Sequence, residues 1–260
     1  MEETLALLRR RLAALEPAGA RQEQLAFGLG LALVDDALAG GLVRGGLHEI
    51  LPAAEADAAA AAGFGAGLAL RSMEAVRDLV WVRQTNAERE VGRLYMPGLA
   101  AFGLDPARLI LVGVRDIVGV LRAGVEAARC RGLGAVMLEP WGSHPMLDLT
   151  ATRRLALAAE RSGVTVILMR PGAREEASAA QTRWRVASGP SVPLAANAPG
   201  RPVFDVTLLR NRAGPAGMGW RLEWDHEHHH FRQAAPLSGA VVSVPARRPA
   251  AAGLPLARTG

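Results

Sequence analysis

The sequence predicts an α/β fold in which helices cover both faces of a mostly parallel sheet. Between residues 25 and 170, short continuous apolar runs alternate with stretches of helical length and periodicity. After Arg170 the pattern changes to strand-like runs separated by turn-rich segments, which indicates antiparallel strands added to the main sheet. The chain has 260 residues, 50% of them hydrophobic, which is enough apolar material for one sizeable domain.

The first predicted element is an amphipathic helix over residues 1–16, with Leu5, Leu8, Leu12 and Leu15 on one stripe. Pro17 and Gly19 end it. A helix this short needs a surface to dock on, either its own domain or a partner, and the sequence does not choose between them. We therefore divide the chain into an N-terminal helix and linker (1–24), a core domain (25–232) and a flexible basic tail rich in Pro, Ala and Arg (233–260).

In the core, each apolar run has the length of a strand and each periodic stretch has the length of a helix. They are strand 47–51, helix 56–73, strands 79–83 and 109–114, helix 116–131, strand 135–139, helix 149–162, strand 164–170, and then strands 182–187, 203–209 and 220–224. Glycines 63, 65 and 67 lie inside the helix 56–73, so we interpret them as permitting close packing and not as a dinucleotide fingerprint.

Composition narrows the classes of protein to which the chain can belong. The net charge is +5 and all thirty basic residues are arginine, so the balance favours acidic partners only weakly. The single cysteine, Cys130, permits no internal disulfide, which fits a reducing cytoplasm, and we interpret it as a small buried hydrophobe. The uncharged apolar stretch at residues 58–70 is shorter than the roughly 20 residues of a membrane span, so no membrane association is expected.

The segment after the first core strand lies where a phosphate-binding loop would be. Such a loop needs a lysine that reaches the phosphates and a hydroxyl that holds magnesium, and this chain has no lysine. The position contains Pro52, Glu55 and Asp57. Carboxylates suit the positive end of the following helix about as well as a phosphate does. The sequence therefore predicts a degenerate site that is closed to nucleotide, with no cofactor and no catalytic residue.

Four segments in this order resemble bacterial RecA and, more closely, the ImuA family of RecA-like proteins in the bacterial SOS mutasome. They are residues 40–50 (GGLVRGGLHEI), 101–110 (AFGLDPARLI), 149–165 (LTATRRLALAAERSGVT) and 182–186 (TRWRV). The resemblance covers roughly residues 24–232. It implies a RecA-like fold of the P-loop NTPase type, with the C-terminal strands antiparallel.

The chain departs from RecA at the positions that carry catalysis. Where RecA has a catalytic glutamate after its second strand, this chain has Arg83 and Gln84, and glutamine is a poor base. The strand that should end in a magnesium-associated aspartate ends in Glu139, a vestigial counterpart, and Arg170 or a neighbour replaces the nucleotide-sensing glutamine. The resemblance with these losses implies a non-catalytic accessory protein of error-prone translesion synthesis.

The resemblance also implies partners, namely an ImuB-like polymerase homologue, RecA, and indirectly an error-prone C-family DNA polymerase. Arg210, Asn211 and Arg212 occupy the place of the Lys-x-Lys edge by which RecA reaches its neighbour, or else they are the solvated end of a strand hairpin. Two alternative functions remain. One is an ATP-dependent recombination or repair protein with a degenerate P-loop, and the other is a cell-division inhibitor similar to SulA.

Single-stranded DNA is a weaker candidate partner. Trp141 could stack on a base, and Arg153, Arg154, Arg183 and Arg185 could contact phosphates if they share a face, although a solvated basic surface explains the same residues. The segment 171–181 has two glutamates and no aromatic residue, which disfavours DNA. If they lay on a strand, His226, His228 and His230 would point to one side, too close together to surround an ion. We expect an exposed loop or strand end that binds divalent metal adventitiously, and no functional metal site.

Overall fold

A computed structural model describes residues 26–73 and 77–235. The predicted N-terminal helix and most of the predicted basic tail lie outside these residues. The described part begins with a two-stranded antiparallel hairpin, β1 (Ala26–Phe27) and β2 (Leu42–Val43), which encloses the short helix α1 (Ala32–Ala37).

The remaining strands form one nine-stranded sheet. They are β3 (Leu47–Pro52), β4 (Asp78–Gln84), β5 (Leu109–Val114), β6 (Leu133–Glu139), β7 (Thr165–Met169), β8 (Thr182–Gly189), β9 (Val203–Asn211), β10 (Gly219–Asp225) and β11 (His230–Gln233). Their order is β11-β10-β9-β8-β3-β7-β6-β4-β5. The six strands from β8 to β5 are parallel, and β9, β10 and β11 follow, each antiparallel to the strand before it. The expectation that every strand after Arg170 is antiparallel was wrong for β8, because segment 171–181 returns the chain to the start of β3, and β8 then runs parallel to β3. The predicted fold class is confirmed.

Helices cover both faces of the parallel part of the sheet. They are α2 (Ala58–Ser72), α3 (Ala87–Val91), α4 (Met96–Phe102), α5 (Ile117–Arg129) and α6 (Leu149–Ser162). On one face α2 packs over a core that contains Trp81, Trp184 and Trp224. On the other face α5 and α6 pack over an aliphatic core that includes Leu138 and Val166. The sheet is therefore buried on both sides, which explains its continuous apolar strands.

The glycines of α2 set its distance from the sheet. A Cβ on Gly65 would lie 3.2 Å from Met137, and one on Gly67 would lie 2.5 Å from the ring of Phe231. The latter distance is too short for two carbon atoms, so α2 could not sit this close to β11 with a side chain at Gly67. The interpretation of these glycines as packing residues is confirmed.

The two helices of the opposite face begin at aspartates that cap them. Asp116 accepts a hydrogen bond from the backbone N–H of Gly119 (2.8 Å), and Asp148 accepts one from Ala151 (2.7 Å). α6 ends at Gly163, whose φ of 80° is left-handed. Cys130 follows the last residue of α5 and is exposed. The prediction that it is buried was wrong, because the helix ends one residue before it.

The sequence analysis did not predict the β1–β2 hairpin, α1, α3, α4 or β11. Each has two to seven residues, which is too short for a hydrophobic period to be recognised. Within the described ranges, none of the helices combines the length and the apolar character that crossing a membrane requires.

Candidate functional site

The segment between β3 and α2 is held against the neighbouring strand β8. The N–H of Ala53 donates to the carbonyl of Val186 (2.7 Å). Asp57, the residue before α2, accepts hydrogen bonds from the N–H of Ala54 (3.1 Å) and from both the N–H and the hydroxyl of Ser188 (2.9 Å each). The pKa of the Asp57 carboxyl is lowered, mainly by the hydrogen bond that it accepts from the Ser188 backbone N–H. A carboxylate thus lies at the start of α2, where a phosphate would bind.

Glu139 at the end of β6 forms a buried ion pair with Arg83 of β4. The Arg83 Nε lies 2.6 Å from Glu139 Oε2, and its Nη2 lies 3.0 Å from Oε1. The indole of Trp81 donates to Oε2 as well (2.9 Å). Both charged side chains are about 5% exposed. Glu139 is therefore already neutralised by a guanidinium, and a magnesium ion would have to displace Arg83 to bind there.

Gln84, beside Arg83, joins β4 to the segment after β6. Its side-chain oxygen accepts from the backbone N–H of Trp141 (3.2 Å), and its amide nitrogen donates to the carbonyl of Arg115 (3.5 Å). Both polar groups of the amide are engaged with backbone. Gln84 positions the chain at the carboxyl ends of the strands and has the contacts of a structural residue.

A cavity of about 430 Å³ opens beside this ion pair, between the first half of α2 and residues 91–102. Its walls include Ala62 and Gly63 of α2 on one side and Tyr95 and Leu99 on the other. Arg83 and Glu139 lie at its polar end, and the guanidinium of Arg83 also donates to the carbonyl of Gly92 (3.3 Å). The cavity is lined mostly by apolar groups.

A second buried charge cluster crosses the middle of the sheet, centred on Glu49 of β3. Arg170, just after β7, lies 3.1 Å from Glu49 Oε1, and Arg183 of β8 lies 2.7 Å from Oε2. The hydroxyl of Ser178 donates to Oε2 (2.7 Å). Glu49, Arg170 and Arg183 are at most 6% exposed. These residues come together because β7 and β8 flank β3 on either side.

The same arginines hold the segment 171–181 against the sheet. Arg170 pairs with Glu176 (2.8 Å) and Arg183 pairs with Glu175 (3.1 Å). The hydrogen bond from Arg170 is the main cause that lowers the pKa of Glu176. Arg183 also donates to the carbonyl of Glu176. The two glutamates that disfavoured DNA in this segment thus have a structural role as partners of buried arginines.

Arg210 and Arg212, predicted to form a RecA-type interface with Asn211, support that segment from the other side. Arg210 Nη1 donates to the carbonyl of Ser178 (2.7 Å), and Arg212 Nε donates to that of Ala180 (3.0 Å). Burial, followed by the charges of Arg212 and Arg183, lowers the pKa of Arg210. The Asn211 side chain accepts from the N–H of Ala213 (3.0 Å). Arg212 is exposed and Arg210 is half-buried, and the interface predicted for them stays a prediction.

The candidate DNA contacts do not act as one set. Arg153 and Arg154 of α6 and Arg185 of β8 are exposed, and Trp141 is half-buried beside the backbone of Gly172. Arg183 is 6% exposed and its nitrogens are engaged with Glu49, Glu175 and the 176–178 backbone and hydroxyl. Including Arg183 among the phosphate contacts was therefore wrong, because its charge is used within the sheet.

The histidine cluster lies at the β10–β11 turn. His226 and His228 belong to the turn and His230 begins the next strand, which confirms the expected loop or strand end. Asp225, His228 and His230 bring their ligand atoms within 4.8 Å of one another. Burial raises the pKa of Asp225, but hydrogen bonds from His228 and the turn backbone bring it to about 2. Arg201 and Arg232 lie 3.8 and 3.7 Å from Asp225. Their positive charges would repel a metal ion bound at that carboxylate.

Known proteins were compared with the chain in sequence and in structure. No protein-family model matches the chain. Two relatives, both Protein ImuA of Caulobacter vibrioides (strains NA1000 / CB15N and ATCC 19089 / CIP 103742 / CB 15), are 36% identical over 218 residues, spanning 76% of this chain and 84% of the relative. The chain belongs to the ImuA family.

The crystal structure of the RadB recombinase matches this ImuA-family chain with a TM-score of 0.53 and 15% identity, over 80% of this chain and 100% of the RadB chain. A likeness at this identity concerns the fold alone, and it agrees with the RecA-like architecture described above. The ImuA assignment made from four sequence segments is confirmed.

Sequence reasoning missed the two ion clusters of this ImuA-family chain. It recognised that Arg83 and Glu139 replace catalytic residues, but not that they pair. The signal lies in the register: Arg83 and Glu139 are direct neighbours on the parallel strands β4 and β6, and Glu49 and Arg183 are direct neighbours on β3 and β8. Finding these pairs requires the strand order, which the sequence pattern does not contain.

Proposed function

We propose that this ImuA-family protein is a non-catalytic accessory protein of SOS-induced error-prone translesion synthesis. Its family membership connects it with SOS mutagenesis. In this proposal it binds an ImuB-like polymerase homologue, with RecA as a second partner, and serves an error-prone C-family polymerase indirectly. It works through binding and does not turn over nucleotide.

The observation that carries the non-catalytic part is the paired state of Glu139. A RecA-like ATPase needs an acidic group free to associate with magnesium, whereas Glu139 accepts three hydrogen bonds, two of them from Arg83. Asp57 adds a carboxylate at the start of α2. A phosphate about 4 Å from that carboxylate would meet a repulsion on the order of 1 to 4 kcal/mol, depending on how far solvent screens it.

Calorimetric titration of the full-length protein with ATP, with and without magnesium, tests this part. We expect no saturable heat in either condition. A matched variant, Glu139→Gln, should behave the same way, because the proposal gives Glu139 no ligand. Tight, magnesium-dependent ATP binding by the wild type that Glu139→Gln abolishes would instead favour the alternative of an ATP-dependent repair protein.

Co-purification tests the partners. The ImuB-like protein, RecA and the cell-division protein FtsZ are each offered to the tagged full chain, with and without ATP. We expect retention of the ImuB-like protein to be independent of nucleotide. Retention of FtsZ in place of the polymerase homologue would favour a SulA-like inhibitor and would contradict the proposal. Variants lacking residues 1–24 or 236–260 then locate the dock, because binding that survives both deletions assigns it to the sheet domain.

A further inference from the structure

The strand β5 forms one edge of the nine-stranded sheet and is apolar along its whole length. It reads Leu-Ile-Leu-Val-Gly-Val and contains neither a charge nor a proline. Ile110 is 47% exposed and Leu111 is 44% exposed, one on each face of the sheet. Proteins usually protect sheet edges with charged residues, prolines, bulges or a covering segment, because an open edge pairs readily with another strand.

Nothing in residues 26–73 and 77–235 covers this edge. β5 pairs with β4 on its inner side, and no backbone hydrogen bond in these ranges joins its outer side to another segment. The outward N–H and C=O groups therefore form an open template for a further strand. Such a strand would also cover the exposed parts of Ile110 and Leu111.

The opposite edge of the sheet, β11, is already engaged. The N–H of Phe231, which points away from β10, donates to the carbonyl of Leu29 (2.9 Å). The guanidinium of Arg71 donates to the carbonyl of His229 (3.2 Å) and to that of Gly28 (2.8 Å), so the same N-terminal segment stays fixed there. In the described part of the chain, the free template is therefore at β5 and not at β11.

The chain contains one segment suited to fill that template. Residues 240–244 read Ala-Val-Val-Ser-Val, bounded by Gly239 and Pro245. Three β-branched valines without a charge are typical of a strand, and the flanking glycine and proline limit its length to five residues. The segment lies in the C-terminal stretch outside the described residues.

Chain length decides which copy of β5 this segment can reach. The described chain ends at Ala235, just beyond β11, and β5 lies eight strand positions away. At about 4.8 Å per strand the separation is roughly 38 Å. From Ala235 to residue 240 an extended chain spans at most about 17 Å, and to residue 244 about 31 Å. The segment is too short to reach the β5 edge of its own chain.

We propose that residues 240–244 of one copy of this protein add as a strand to the exposed edge of β5 in a second copy. The donor segment follows β11, so the β11 side of the donor lies next to the β5 side of the acceptor. Each copy then offers a donor at one edge of its sheet and an acceptor at the other. The contact is head-to-tail, and its assembly depends on protein concentration.

Sedimentation velocity of the full chain over a wide range of concentration tests the proposal. The wild type should show a mass that rises with concentration. Val242→Pro removes a donor N–H and fixes φ, so it should abolish the rise by inactivating the donor. Ile110→Glu places a charge on the edge and should abolish the rise by inactivating the acceptor. Mixing the two variants should restore a one-to-one dimer and nothing larger. The Val242→Pro variant retains a working β5 edge, and the Ile110→Glu variant retains a working donor segment, so only one contact can form.

Matched controls separate these effects from loss of the fold. Ala251→Pro introduces a proline elsewhere in the same stretch, and Leu33→Glu introduces a charge at another exposed leucine, 58% exposed on α1. Both should associate like the wild type, and the unfolding temperature of each variant is measured alongside. If Ile110→Glu fails to fold, Leu111→Glu replaces it. A wild type that stays monomeric, a Val242→Pro variant that still associates, or a mixture that forms no dimer would each overturn the proposal.

Discussion

At the scale of single residues, this protein is distinguished by arginines that pair with glutamates inside its sheet. Arg83 neutralises Glu139, and Arg170 and Arg183 together neutralise Glu49. Arginine is suited to this role because its planar fork offers several donors in fixed geometry and keeps its charge when buried. The absence of lysine removes the cation that a phosphate loop needs, and the arginines that remain include these structural pairs.

The Glu49 cluster leads to a stability prediction. Glu49→Gln should lower the free energy of unfolding by about 3 to 5 kcal/mol, because two buried guanidiniums lose their shared counter-charge. Urea unfolding followed by tryptophan fluorescence measures the loss. Glu175→Gln is the matched control: Glu175 is 46% exposed, so its pair with Arg183 should contribute at most about 1 kcal/mol. Equal effects of the two substitutions would contradict a central role for Glu49.

His48 gives the protein a predicted dependence of stability on pH. The side chain is buried, bonded to the carbonyl of Val43 and to the hydroxyl of Thr182 (2.9 Å each), and burial lowers its pKa to about 4. The unfolded chain binds a proton near pH 6.5 and the folded chain does not. Stability is therefore fully present above about pH 6.5 and is lost as the pH falls towards 4, by about 3 kcal/mol in all.

Unfolding curves at a series of pH values compare the wild type with His48→Gln. The variant should be less stable near neutral pH, and its stability should fall less steeply between pH 6.5 and 4 than that of the wild type. The comparison is between two proteins with the same carboxylates, so acidic groups cancel from the difference. Parallel curves for the two proteins would show that His48 does not titrate as its burial implies.

At the scale of secondary-structure elements, the position of α2 is the feature on which the core depends. Its glycines let the helix approach the antiparallel strands as well as the parallel ones, so Trp224 and Phe231 pack against the same side of the sheet as Trp81. A helix with ordinary side chains at these positions would stand further from the sheet and would leave space between the aromatic rings. The antiparallel extension and the parallel sheet share one core for this reason.

Gly67→Ala tests this arrangement. Alanine favours a helix over glycine by roughly 1 kcal/mol in isolation, but here the added Cβ would lie 2.5 Å from the Phe231 ring. We expect a net loss of about 1 to 3 kcal/mol in thermal unfolding. Ala59→Ser, at an exposed position of the same helix, is the control and should change stability by less than about 0.5 kcal/mol. A stabilised Gly67→Ala would mean that α2 is free to move away from β11.

At the scale of the whole molecule, the two ends of the sheet differ. The β11 edge is engaged by the segment around Leu29, whereas the β5 edge is open in the described part of the chain. Between them, the carboxyl ends of the parallel strands are occupied by internal ion pairs and backbone contacts where an ATPase would keep a ligand site. Those buried charges stabilise the sheet and leave no free carboxylate at Glu139.

The Arg210 to Arg212 edge yields the whole-molecule prediction. If RecA docks there, Arg210→Ala with Arg212→Ala should weaken RecA retention in a pull-down with ATP present, because both guanidiniums are lost. The two arginines also hold Ser178 and Ala180, so thermal unfolding must be measured on the same variant. Arg153→Ala with Arg154→Ala, which removes two exposed arginines of α6, is the control. RecA retention unchanged by the first pair of substitutions would contradict docking at this edge.

The sequence by itself determined the alternation of strands and helices, the presence of further strands without helices after Arg170, and the loss of the phosphate-binding lysine. These are local properties, because each depends on residue types and spacing within one element. The sequence did not show that the first strand after Arg170, β8, belongs to the parallel part of the sheet. Only the tertiary structure decided that Arg83 lies against Glu139, that Arg183 is buried against Glu49, and that, among residues 26–73 and 77–235, the β5 edge is open while β11 is engaged. Those contacts join residues far apart in the chain, and they follow from the order in which the strands lie side by side, which no local pattern specifies.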